Sequence, residues 1–290
     1  MTLLAIKALL APTFVVGASL AARRYGPRVG GLVGGLPVVA GPILLVYALE
    51  HGRSFAGHAA GGTLLGLVSL TGFVVVYGRL AGRARWPAAM LAGWGAFAVG
   101  TLLFSALTVP AGLALALACA GFALGLALLP RPAGEPRTPA PPPAWDLPLR
   151  AGCALALVAA LTTAAGWLGP QLSGLLAPFP VITTVLATFT HAQRGAQDTV
   201  RLLRGMLTGF VAFALFCFTL AVSLRTLGAA AGFALATAVA LLTQGVLIAR
   251  AGREPGGIAA YAQRGPAGVT SHAIDPTAIA AVGAARAGDS

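Results

Sequence analysis

The sequence predicts an all-α, polytopic transmembrane helical bundle of about nine crossings, built from two inverted-topology four-helix repeats joined by one connector helix. Three observations predict it: an apolar excess that no soluble fold carries, an alternation of arginine-rich and arginine-poor loops, and a self-similarity held at constant spacing.

Hydrophobic residues fill 58% and charged residues only 9% of the 290 positions, whereas a soluble globular domain carries roughly 25% charge. Apolar segments recur from Met1 to Arg250, each with about the 20 residues needed to cross a hydrocarbon core. The lipid bilayer is therefore the first expected partner. A net charge of +12 raises the question of nucleic acid. The arginines, however, flank apolar segments and form no basic face or basic helix, so nucleic-acid binding is not expected. Cys119, Cys153 and Cys217 all lie inside apolar stretches without metal-ligand spacing and read as small buried hydrophobes.

With Gly, Pro and Arg as punctuation, spans are expected near 3–22, 28–49, 55–80, 86–106, 108–129, 148–168, 171–191, 202–224 and 227–249. The first could pass for a signal peptide, but Lys7 interrupts its apolar run and no small-residue cleavage site follows. The domain layout is residues 1–106 as the first membrane repeat, 107–129 as the connector, 130–147 as a linker, 148–250 as the second repeat and 251–290 as a tail. Repeated prolines make the linker extended. The small, polar, unpatterned tail is expected to be disordered.

Loop cations set the orientation. Arg23, Arg24 and Arg28 follow the first span, Arg79, Arg83 and Arg85 the third, and Arg131, Arg137 and Arg150 the fifth. Arg194, Arg201 and Arg204 follow the seventh, and Arg250, Arg253 and Arg264 the ninth, while the alternate loops hold only Arg53 and Arg225. Because cytoplasmic loops carry the Lys/Arg excess, a multi-pass inner-membrane protein is expected, with a periplasmic amino terminus and a cytoplasmic linker and tail.

The segment GPRVGGLVGGLPVV from Gly26 aligns without gaps on GPQLSGLLAPFPVI from Gly169, 143 positions on. Gly26, Pro27, Gly31, Leu32, Pro37 and Val38 match Gly169, Pro170, Gly174, Leu175, Pro180 and Val181. The same offset pairs Gly52 with Gly195, Gly62 with Gly205, Gly66 with Gly209, Phe73 with Phe216 and Lys7 with Arg150. The connector makes the number of crossings between equivalent points odd, so the copies run in opposite directions about an axis in the membrane plane.

Around RRYGPRVGGLVGGLP the chain resembles the GlpM-like small bacterial inner-membrane proteins, units of about four helices whose second helix begins glycine-rich and continues to a proline. The resemblance covers residues 1 to about 105 and, with departures at Gln171, Ser173 and Pro178, residues 147–250. It implies duplication and fusion of a once-independent unit and adds little about substrate.

Two Gly/Pro-interrupted segments at corresponding positions point to a midplane site in inverted-repeat transporters. Its candidate residues are Gly26, Pro27, Gly31, Pro37, Gly169, Pro170, Ser173, Gly174 and Pro180. Broken helices free backbone groups, which the bilayer tolerates only beside protein or a water-filled cavity. The alternative is that these glycines serve close helix packing alone. Thr183, Thr184, Thr188 and His191, with Thr190, Thr162, Thr163 and Gln244, are the added polar candidates. Threonine hydroxyls can equally bond their own backbone.

All carboxylates fall at span ends or in the linker and tail, which disfavours coupling through a buried Asp or Glu. His191 or His58 remain as proton carriers, or as interfacial residues. Glu50, His51, Arg53 and Arg194 read equally as anchors. No nucleophile elbow, metalloprotease helix or phosphate loop occurs, so no enzyme, no cofactor and no metal site are expected. The leading expectation is a permease or secondary transporter of a small anionic or neutral solute. The competing one is a scaffold or accessory protein for a neighbouring complex or lipid process. The two separate on whether a polar cavity lies near the midplane between the Gly/Pro segments, as a permease needs, or the space there is packed solid; substrate, coupling ion and oligomeric state stay open.

Overall fold

The computed structural model describes residues 2–38, 40–107, 109–132, 143–160 and 179–253, with side chains from Ala11 onward. Among these residues the regular structure is helical, with no strand. The helices are α1 (Thr2–Tyr25), α2 (Pro27–Gly34), α3 (Ala40–Glu50), α4 (Arg53–Leu80), α5 (Trp86–Ser105) and α6 (Ala111–Leu128). A seventh, α7, is described over 146–160, followed by α8 (Val181–Arg194) and α9 (Ala196–Arg253). Residues 161–178, which hold the expected site residues Gly169, Pro170, Ser173 and Gly174 together with Thr162 and Thr163, lie outside the described residues. So does the tail from 254, although α9 runs three residues past the expected end of the second repeat at 250.

Helices α4, α5, α6 and α9 are long and apolar enough to cross a membrane. The chain suits a membrane-embedded protein. Leu91, Val99, Leu102 and Leu103 on α5 and Leu113, Leu117 and Leu124 on α6 are exposed, a distribution that only an apolar surrounding makes favourable.

Helix ends follow local chemistry. Proline occupies the first turn of α2 and of α5, where its missing N–H removes no helical bond. Gly26, Gly52, Gly195 and Gly228 all have φ between 80° and 96°, a region that costs a side-chain-bearing residue energy, and each stands where one helix meets the next. At Gly228 (φ 80°, ψ 176°) α9 breaks. The chain folds back there, because the rings of Phe216 and Phe233 meet edge to face with centroids 6.4 Å apart although a straight helix would separate them by about 25 Å. The residues of the expected eighth and ninth spans fall on the two limbs of α9, whose first limb starts at Ala196 and not at 202.

The expected second span, 28–49, is not continuous. α2 stops at Gly34, and α3 begins only at Ala40 after Pro37. Proline cannot donate, and it disfavours helical geometry in the residue before it.

The core lies between α4 and the first limb of α9, where Leu64, Leu67, Phe73 and Tyr77 meet Leu203, Met206 and Phe210, all fully or almost fully buried. α2 crosses α9 at backbone distance. A Cβ on Gly31 or Gly205 would overlap the carbonyl oxygens of Leu202 and Arg28, and one on Gly209 would lie 2.6 Å from the Leu32 oxygen. Small residues on both helices permit this approach.

The arginine-rich chain ends gather at one end of the bundle. Arg79 Nε donates to the Leu128 carbonyl at 3.0 Å, and Arg204 Nη1 to Leu126 at 2.9 Å and Leu129 at 3.3 Å. Two cations therefore cap the carboxyl end of α6, where the free carbonyls and the helix dipole favour positive charge.

Candidate functional site

The interruption between α2 and α3 leaves carbonyls without helical partners. Leu32 O accepts the Gly35 N–H at 3.1 Å and, from the second limb of α9, Gln244 Nε2 at 2.7 Å. Gln244 is buried, and its Oε1 has no partner among the described residues. The Pro37 carbonyl accepts the Gly41 N–H at 2.8 Å, starting α3.

Opposite this interruption, Pro180 heads α8 and its carbonyl accepts the Thr184 N–H at 2.7 Å. Between them lies a cavity of about 40 Å³, bounded by Gly34, Leu36 and Ala40 on one side and Phe179 to Thr183 on the other, with Leu70, Phe210 and Phe213 closing it. Gly34, Leu36 and Ala40 of the first Gly/Pro segment and Phe179 and Pro180, the described end of the second, thus border one cavity. It is small and largely apolar, not the polar cavity expected of a permease, because phenylalanine and leucine side chains fill most of the gap. The amino ends of α3 and α8 both face it, and helix amino ends favour negative charge.

Helix α8 carries two polar faces. On one, Thr184 accepts the Trp94 Nε1–H of α5 at 3.0 Å. Thr188 follows a turn later, and His191 Nδ1 lies 3.3 Å from the Tyr77 hydroxyl of α4. On the other face Thr183 borders the cavity, while Thr190, Gln193 and Arg194 border a second, smaller one near the arginine end. The spacing of three and four residues keeps each set on its own side.

The second cavity, about 20 Å³, adjoins a buried ion cluster. Asp146 at the head of α7 has no exposed surface. It receives Arg150 Nε at 2.9 and 3.0 Å, Arg23 Nη2 of α1 at 2.6 Å, and the amide of Gln193. Burial alone would raise the Asp146 pKa, but the hydrogen bonds from Gln193, Arg150 and Arg23 outweigh it and hold the carboxyl below its ordinary value. The Arg150 guanidinium also lies 4.8 Å from the centre of the Phe189 ring.

Of the remaining expected site residues, Gly26 and Pro27 form the α1–α2 junction, Pro27 bordering the arginine cavity, and Gly31 serves the α2–α9 crossing. His58 sits at the opposite end, its Nδ1 2.8 Å from the Ser54 carbonyl. There, with Gly57, Leu107 and Arg225, it borders a cavity of about 490 Å³. Sequence reasoning missed Asp146, Arg23, Trp94 and Tyr77. The one available signal was the i,i+4 spacing of Asp146 and Arg150 at a helix start. No group of three or more His, Cys, Asp or Glu lies together among the described residues as a metal site would need.

Comparison with protein-family models, with curated proteins and with solved structures returned no match.

Proposed function

We propose that the chain is an inner-membrane permease for a small anionic or neutral solute. Two inverted copies of a four-helix unit would meet around the cavity between the α2–α3 interruption and the start of α8. The observation that carries this reading is that Pro37 and Pro180, aligned at the constant offset, each stand just before a helix start and that the residues around the two prolines border the same cavity. The paired glycines agree with it: Gly52 has φ 88° and ψ 166°, Gly195 φ 81° and ψ −175°, and each separates two helices. The resemblance to GlpM-like units suits an ancestral duplication.

A cavity of about 40 Å³ has room for a few water-sized occupants at most, which suits a small solute. The wider cavity beside His58 would be the periplasmic approach, and the arginine end would be cytoplasmic by the positive-inside rule. Flux into proteoliposomes tests the reading, with chloride, nitrate, phosphate, a small polyol and sodium offered in turn. Saturable uptake of one solute, reduced by Thr183→Val at the cavity wall, is expected; a tight vesicle with no uptake of any would overturn it.

The apolar lining of the central cavity favours a second reading, a non-transporting scaffold. In that case the protein leaves vesicles impermeable and co-purifies in fixed stoichiometry with a membrane complex.

A further inference from the structure

At the arginine end, the guanidinium groups of Arg23, Arg150 and Arg194 surround a single carboxylate, Asp146. That carboxylate is fully engaged: both oxygens receive Arg150, one also receives Arg23, and the other also receives Gln193. The Gln193 carbonyl oxygen is taken by Arg150 Nη2 at 3.2 Å. Two donors remain without partners. Among the described residues, Arg194 Nη1 is buried and makes no hydrogen bond, and Ser19, only 3% exposed, has a hydroxyl with no partner. Both residues border the same cavity of about 20 Å³.

Buried donors and excess buried charge are costly unless something accepts from them. The Asp146 oxygens and the Gln193 carbonyl beside this cavity are already in use, and an added acceptor would satisfy both donors. About 20 Å³ matches one occupant of roughly water size, which favours a halide over a phosphate or sulfate group.

We propose that Ser19, Arg194 and the Arg23–Asp146–Arg150 cluster bind one small monovalent inorganic anion of the halide class. Its place on a path rests on the permease reading. Thr183 at the central cavity, and Leu186, Thr190 and Arg194 at this one, are spaced three, four and four along α8 and so share a face. The two cavities are about 10 Å apart by helix rise. The plug between them is apolar: Leu186 and the Met206 methyl both press against Gly34, where an added Cβ would stand 3.0 and 2.9 Å from them. An anion held by the arginines would wait one side-chain displacement from the central cavity.

The test is thermal unfolding of the purified full chain, titrated with sodium chloride, bromide or sulfate against sodium gluconate at matched ionic strength. Chloride and bromide are expected to raise Tm saturably. Arg194→Gln should weaken the apparent affinity at least tenfold and Ser19→Ala several-fold, while the exposed Arg83→Gln leaves it unchanged. Neither variant removes a bond to Asp146, and Ser19→Ala decides the matter if Arg194→Gln fails to fold. Equal Tm in chloride and gluconate would mean that the cavity holds only water, and a preference for sulfate would overturn the halide class. Because binding is read without flux, binding without transport would sink the permease and keep the site; transport without binding would do the reverse.

Discussion

The Gln244 side-chain amide donates to the Leu32 carbonyl, joining the last membrane limb to the carboxyl end of α2 across 212 residues of chain. The bond supplies a buried carbonyl with a donor at a place where α2 has stopped offering one. Gln244→Leu should lower stability by about 1 kcal/mol. The loss stays small because the Gly35 N–H also reaches Leu32. Hydrogen exchange at Gly35 and Leu36 should quicken, and unchanged exchange there would show that Gln244 does not hold the interruption.

Close packing of α2 on α9 makes its glycines intolerant. Gly31→Ala, Gly205→Ala and Gly209→Ala each place a methyl against backbone oxygen, and overpacking of this kind costs about 1–3 kcal/mol. Gly95→Ala, with open space around it on α5, should instead stabilise by up to about 1 kcal/mol through helix propensity. Thermal denaturation of the four variants in one detergent checks the contrast.

Gly52 and Gly195 share a backbone geometry that alanine avoids. Gly52→Ala and Gly195→Ala should each cost about 1–3 kcal/mol. Similar losses at the two positions are what an internal duplication predicts; a loss at one alone would count against equivalence of the two turns.

Asp146 answers to acid. Its folded-state pKa lies below the ordinary carboxylate value, so its stabilising contribution is complete above about pH 4 and is lost as pH falls through the lower folded value. Asp146→Asn should cost about 3 kcal/mol at neutral pH, since it leaves Arg150 buried without its counter-charge. It should also flatten the decline of Tm on the acid side, which a Tm series from pH 6 to pH 3 would display.

Thr184→Val removes the acceptor of the Trp94 indole N–H. A loss of about 1 kcal/mol follows, together with a shift in the tryptophan emission maximum as the indole loses its partner. Trp94→Phe in the same background abolishes that shift and assigns it to Trp94.

Much of this molecule was legible before folding. Apolar length placed α4, α5 and α6 within a few residues, and the Pro-rich stretch placed the start of α7 two residues later than it lies, because Asp146 and Leu147 join the helix. The shared offset between Pro37 and Pro180 singled out two prolines whose described neighbours border one cavity. Thr184 and His191 were found by their polarity, but not their partners Trp94 and Tyr77, since a tryptophan or tyrosine in an apolar span reads as bulk.

Sequence by itself determined the solvent, the approximate helices and the positions where the backbone must turn, because hydropathy, proline and glycine act within a few residues of where they stand. Only the tertiary structure decided that Arg23, Asp146, Arg150, Gln193 and Arg194 share one buried cluster and that Gln244 reaches Leu32. Those contacts depend on which helix faces which, and so does the small volume left between the two interruptions: it is whatever Phe179, Phe210 and Phe213 leave unfilled once packed.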